Sequence, residues 1–468
     1  MKSVVISVSL FLAALYLAVT ISREPMRAQA IIPTRDIAGT ISQAKPNILL
    51  AEAVDPSLEV TVDQENSSDV VTKIEDTWEK QYEDYFGENF SDQPTTTNYV
   101  ADTLGKIAIQ TGKKPALLYV IPRPQQLELV LITPGSQPIH KRVKEANQET
   151  LLKQVKELRT SITNPALRRT TRYLPVAQQL YQWIVAPLEA DLETQKIDTL
   201  IFCTGVGLRT APLAALHDGQ QFLVEKYSIG RLPAFKFTDT FPSDLRNAQV
   251  LAMGASEFKD QDPLPAVPVE ISAIAQNLWK GKSFLNQEFT LANLQSQRAS
   301  QPFKIIHLAT HANFQSGTPS NSYVQFWDTK LTLDKMRQLR WNNPPVDLLV
   351  LSACQTAIGD KEAELGFAGL AVQAGVKSVL ASLWNVSDEG TLGLMTEFYR
   401  DLKTAPIKAE ALRQAQIAMI KGEVRLEAGQ LHSVRGSISL PPELAALENE
   451  NLSHPYYWAA FTVVGSPW

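Results

Sequence analysis

VDLLVLSACQT (346–356) carries four consecutive apolar residues, Leu348, Leu349, Val350 and Leu351, and then runs out at Cys354. An uninterrupted apolar run this short reads as a strand buried on both faces of a parallel sheet. KIIHLATHANF (304–314) has the same shape and delivers His311 near its own end. Ligands of open α/β sheets bind in the crevice beyond the carboxyl ends of the strands, and a thiol beside an imidazole there pairs a nucleophile with a base. The imidazole lowers the effective pKa of the thiol and later returns the proton to the leaving amine. Cys354 and His311 therefore suffice chemically to cleave a peptide bond through an acyl-enzyme.

His307 stands four residues before His311. On a helix that spacing would make a metal-binding pair, but no glutamate or third ligand completes a zinc motif, and no metal or other cofactor is expected. On a strand, positions 307, 309 and 311 share one face, which sets His307 deeper as a support to the site through hydrogen bonding.

Strand and helix patterns alternate outward from these two runs, the signature of a mostly parallel sheet with helices on its faces. DTLIFC (198–203), AQVLAMGA (248–255) and KSVLASL (377–383) read as strands, and FLVEKYSIG (222–230) as a further short run. Helices are expected over 269–279, from 291, and over 364–374, 388–402 and 408–421. The fold class is thus α/β over residues 195–468, preceded by a smaller α+β region over 68–194. That region has helices at 68–87, 144–159 and 176–194, the last interrupted by Pro187, and a hairpin of ALLYVIP (116–122) with LELVLITP (127–134). No internal repeat is visible.

The chain has 468 residues, 44% hydrophobic and 20% charged, the balance of a globular protein with a sizeable core. Its net charge of −5 argues against nucleic-acid binding, because a phosphate backbone is held by clustered Lys and Arg. Two cysteines, Cys203 and Cys354, exclude a disulfide scaffold and a multi-cysteine zinc site. Residues 3–19 are apolar, and Ala28-Gln29-Ala30 offers a small-x-small cleavage site, so 1–30 read as a signal peptide or as an uncleaved anchor, the only expected contact with a membrane. The protein is then exported, periplasmic or extracellular. Residues 31–67, polar and without periodicity, read as a disordered linker. An oxidising location also raises the pairing of Cys203 with Cys354 as an alternative to a free nucleophile.

The blocks HLATHANF (307–314), VDLLVLSACQTAIGD (346–360), GLAVQAGVKSVLASLWNVSD (369–388) and HPYYWAAFTVVG (454–465) resemble the CHAT family, caspase-like domains often joined to tetratricopeptide repeats. The resemblance runs from about residue 116 to 465 and includes LRTAPLAALHDG (208–219) and LPAVPVEISAIA (264–275). It implies a fold of the caspase and separase type, with His311 as base and Cys354 as nucleophile. One departure is Ala312, where caspase-like proteins often have Gly after the histidine. Caspase-like relatives usually select a charged residue before the cleaved bond, and Asp360, Glu362, Glu364 and Asp388 are the acids available for an Arg or Lys pocket. The expected function is a cysteine endopeptidase acting on a protein or peptide. The alternative is a catalytically silent scaffold that binds a protein partner outside the cytosol.

Overall fold

A computed structural model describes residues 67–90, 94–356, 360–445 and 449–468, with the backbone alone at 67–69, 353–356 and 443. The expected leader (1–30) and the linker up to residue 66 lie outside the described residues. Among the described residues no helix is long and apolar enough to cross a membrane.

The strands in chain order are β1 (Pro115–Pro122), β2 (Leu127–Ile132), β3 (Ile139–Val143), β4 (Thr199–Thr204), β5 (Ser228–Leu232), β6 (Val250–Gly254), β7 (Gly281–Leu285), β8 (Ile305–Phe314) and β9 (Tyr323–Gln325). They continue as β10 (Lys330–Thr332), β11 (Leu348–Thr356), β12 (Ser378–Ser382), β13 (Arg425–Glu427), β14 (Gln430–Ser433), β15 (Gly436–Ser439), β16 (Glu450–Asn451) and β17 (Phe461–Gly465). Among the described residues, thirteen of them form one sheet in the order β10-β9-β8-β11-β12-β17-β5-β4-β1-β2-β3, with β6 and β7 attached to a further stretch of β8. The remaining four make a small sheet, β15-β14-β13-β16.

The large sheet is two parallel blocks. β7, β6, β8, β11 and β12 run together, and so do β17, β5, β4 and β1. The blocks meet where β12 pairs antiparallel with β17; antiparallel strands extend the sheet beyond β8 (β9, β10) and beyond β1 (β2, β3), while the branch through β6 ends in the parallel strand β7. The expected α/β class with a mostly parallel sheet flanked by helices is what the chain adopts. The 116–134 hairpin is not detached from that sheet, because β1 pairs parallel with β4 from Pro115 to Val120.

Successive residues of a strand face opposite sides, and here both sides are buried. In β1, Leu118 and Val120 join one apolar core while Leu117, Tyr119 and Ile121 join another. Helices Ser67–Phe86 and Thr97–Thr111 bring Val71, Ile74, Trp78, Val100 and Leu104 to the second core. Helices Gln148–Thr163 and Leu174–Ile184 bring Leu151, Leu158, Leu180 and Ile184 to the first. The helix expected over 176–194 does break at its proline: a 3-10 turn, Ala186–Leu188, separates it from Glu189–Thr194.

Candidate active site

β8 is paired along one edge by two strands in turn. β6 accompanies it from Ile305 to Ala309, and β9 takes over at Ala312 and Asn313. His311 falls in the fork between them. β6 leaves at Gly254, where a Cβ would lie 2.4 Å from the Ala309 carbonyl oxygen, so only glycine permits the close approach that precedes the fork. The chain that departs there, residues 255–266, curls over His311. Ser256 N donates to Asn286 Oδ1 at 2.8 Å, Leu264 N to Ser256 O at 3.0 Å and Ala266 N to Asp388 Oδ2 at 3.1 Å.

Two groups of this loop orient the imidazole. The carbonyl of Asp262 lies 2.8 Å from His311 Nε2, and the Phe258 ring stands 4.6 Å from the imidazole, centroid to centroid. A carbonyl only accepts, so Nε2 carries the proton, and the lone pair of the neutral ring is on Nδ1. Nδ1 is therefore the ring nitrogen open to accept a proton, and the imidazole is partly exposed to solvent.

β11 pairs with β8 on the opposite side from β9. The register pairs Leu351 with Leu308 and Ala353 with His311, so β8 holds one extra residue between them, a bulge. Cys354 is thereby opposite Ala312, and the backbones of His311 and Cys354 are diagonal neighbours at the carboxyl ends of adjacent parallel strands. Bulges at such ends change the direction in which the following residues are presented.

His307 lies four residues deeper and is fully buried. Its Nδ1 is 3.2 Å from the Tyr399 hydroxyl, and its Nε2 approaches Glu270 Oε1 at 3.0 Å without the alignment of a hydrogen bond. These two contacts run to the helices Val267–Ser272 and Asp388–Asp401, the first of which follows the 255–266 loop that covers His311. Among the described residues no three His, Cys, Asp or Glu side chains gather as a metal set.

The four acids expected to form one basic-residue pocket divide instead. Glu364 is buried, accepting the Gly207 N–H at 2.7 Å and the Thr210 hydroxyl at 3.3 Å; burial pushes its pKa up, against the opposing pull of the Arg209 guanidinium. It is a structural carboxylate, turned inward because guanidiniums await it there. Asp360 caps the helix Lys361–Ala368 through the Ala363 N–H at 2.8 Å, and Glu362 is in that helix's first turn, where carboxylates suit the dipole. Asp388 stands beyond the end of β12 and pins the loop that orients His311; burial, with Glu270 and Glu389 nearby, pushes it up to about 7.

Cys203 is free and fully buried in β4, where burial holds its thiol in the neutral form. β4 is four strands from β11, about 19 Å at the usual spacing, whereas a disulfide needs its Cα atoms about 5.5–6 Å apart. The pairing of Cys203 with Cys354 is overturned by that separation.

Sequence reasoning missed the Asp262 carbonyl, which any residue supplies and no pattern betrays. It also missed Phe258, Glu270 and Tyr399. Phe258 left a trace, being the one aromatic in the charged, proline-rich run SEFKDQDPLP (256–265).

A mostly parallel α/β sheet with a histidine and a cysteine at the carboxyl ends of adjacent strands defines the class, a caspase-like α/β protein. The model of the CHAT domain matches residues 174–466. The chain belongs to the CHAT domain family. Two crystal structures of the Saccharomyces cerevisiae separase–securin complex are similar to it, each with a TM-score of 0.47 and 11% identity, covering 85% of this chain and 34% of that chain. The chain thus spans about a third of the length of the chain it matches there. No curated protein matches it.

Proposed function

We propose that this chain is a cysteine endopeptidase in which Cys354 is the nucleophile and His311 the general base. One observation carries the reading: the His311 imidazole, fixed by the Asp262 carbonyl with its lone pair on Nδ1, stands one register step from Cys354 on the neighbouring strand. Nδ1 takes the thiol proton, and the sulfur attacks the scissile carbonyl carbon. Collapse of the tetrahedral adduct breaks the C–N bond, the amine leaving with the proton from Nδ1. Water then gives a proton to Nδ1 and adds to the thioester, and the C–S bond breaks to return the thiolate.

The substrate is a protein or peptide. Of the four acids, Asp388 is retained for a basic residue before the cleaved bond, since it follows β12, the strand beyond β11. Export belongs to the same proposal, and amino-terminal sequencing tests it: protein beginning at Ile31 in the exported fraction supports a cleaved leader.

A diverse peptide library incubated with the full chain under reducing conditions tests the reading. Cys354→Ala is expected to cleave nothing above background, and His311→Ala to lose about 10²–10⁴ in kcat. Undiminished cleavage by Cys354→Ala would sink the proposal.

A further inference from the structure

Beside His311, on the side away from Cys354, lies a cleft of about 600 Å³ between the 257–261 segment and the β9–β10 hairpin. Phe258, whose ring also makes an edge contact with the imidazole, forms one wall, and Tyr323 and Trp327 form the opposite one. Trp327 is 36% exposed, one of few large apolar side chains so open to solvent among the described residues. It is not exposed through looseness. Its backbone N–H donates to Phe289 O at 3.0 Å, Phe326 N donates to Thr329 O at 2.8 Å, and the Phe326 ring stacks on Phe289 at 4.5 Å. The backbone that carries the indole is therefore pinned at the mouth of a cleft, where large aromatic side chains contribute most to binding a partner.

The peptidase chemistry fixes what enters, and the inference rests on that reading. His311 must hand its proton to the leaving nitrogen, so the chain that continues from that nitrogen lies on the His311 side of Cys354. Across the sheet the order is β9, β8 with His311, β11 with Cys354, then β12. The acyl half of the substrate accordingly extends toward β12, and the leaving half toward β9.

We propose that the cleft between Phe258 and Trp327 is the specificity pocket for the leaving half of the substrate, and that it takes a large apolar or aromatic side chain from the first two residues after the cleaved bond. Glu257, Asp260 and Asp328 rim it against Lys259 and Lys330, and Lys330 is drawn over the Tyr323 ring at 4.1 Å. The excess of carboxylates at the mouth disfavours an acidic residue there.

The test uses the full chain and quenched peptides with a common acyl half, whose leaving half begins with Phe, Leu, Gly or Asp. The Phe and Leu peptides are expected to exceed Gly in kcat/KM by about 10–200-fold, with Asp lowest. Trp327→Ala is expected to cut the Phe to Gly ratio at least several-fold, and Trp327→Tyr to keep most of it. If Trp327→Ala does not fold, the wild-type series alone decides. Binding of the same intact peptides to Cys354→Ala protein, by calorimetry, supplies a readout independent of turnover. Equal kcat/KM for Phe and Gly, or equal binding where nothing is cleaved, overturns the pocket. Absent cleavage with binding that favours Phe and depends on Trp327 overturns the peptidase reading and leaves the pocket standing.

Discussion

Asp388 holds the Ala266 N–H at the far end of the loop whose Asp262 carbonyl orients His311. Burial first, and then Glu270 and Glu389, push its pKa up to about 7 from the ordinary carboxyl value, while the Ala266 N–H pulls the other way. A folded-state pKa above the unfolded one means that the stability tied to this group is complete below about pH 4 and is lost as pH rises through 7. Wild-type protein is expected to lose roughly 2 kcal/mol from this source between pH 5 and 8, allowing for partial solvent screening. Asp388→Asn keeps the acceptor and cannot ionise, so its urea-unfolding free energy should fall less over the same interval. Identical pH slopes for the two proteins would refute this role. At this scale the placement of His311 and Cys354 at the ends of neighbouring strands was legible, because a histidine and a cysteine at the ends of apolar runs announce themselves. The acids were not, because sequence cannot say whether a carboxylate after a strand faces solvent, as Glu362 partly does, or guanidiniums, as Glu364 does.

The helix Lys361–Ala368 shows the same problem at the scale of elements. Its Glu364 is 1% exposed and faces Arg209 and Arg159, themselves buried, the latter donating to Leu383 O at the end of β12. Glu364→Ala removes the counter-charge from buried guanidiniums and the acceptor from Gly207 N. The expected cost is about 3 kcal/mol in urea unfolding. Glu364→Gln, which keeps an acceptor, should lose less than Ala; a loss under 1 kcal/mol for Ala would show that the guanidiniums find other partners. A single helix was expected over 364–374, yet it is broken at Gly369, where a Cβ would lie 2.5 Å from the Phe86 ring. That ring comes from a helix almost 300 positions earlier, a contact no local pattern carries. FLVEKYSIG (222–230) divides into the helical turn Leu223–Lys226 and β5, because the Glu225 carboxylate reaches back to the Phe222 N–H at 2.7 Å. β9, β10 and the small sheet were not anticipated; strands of two to four residues are too short to display alternation.

The parallel sheet and its helical faces were legible in the whole molecule because continuous apolar runs and amphipathic helices repeat along the chain. The reversal of direction between its two blocks was not, since it depends on which strands meet, and β12 meets β17 across about 80 residues. The same long-range pairing makes the region before residue 174 part of the sheet. β1 covers the edge of β4, and β2 and β3 extend it. Glu75, buried in the helix Ser67–Phe86, accepts the Tyr119 hydroxyl at 2.7 Å and the N–H groups of Phe235 and Lys236 at 2.9 Å, tying that helix to β1 and to the segment after β5. A fragment starting at 174, where the family match begins, would uncover Leu200, Ile201 and Phe202 and leave the β4 edge unpaired. An exposed apolar edge of this kind pairs with other chains. Residues 174–468 are therefore expected to aggregate, or to lack the near-ultraviolet dichroism of packed aromatics, whereas 67–468 unfolds in urea in one transition. A soluble 174–468 fragment with native dichroism and its own cooperative transition would make the preceding region a separate domain, and the continuous core across β1 and β4 would then contribute little to holding the histidine and cysteine strands in place.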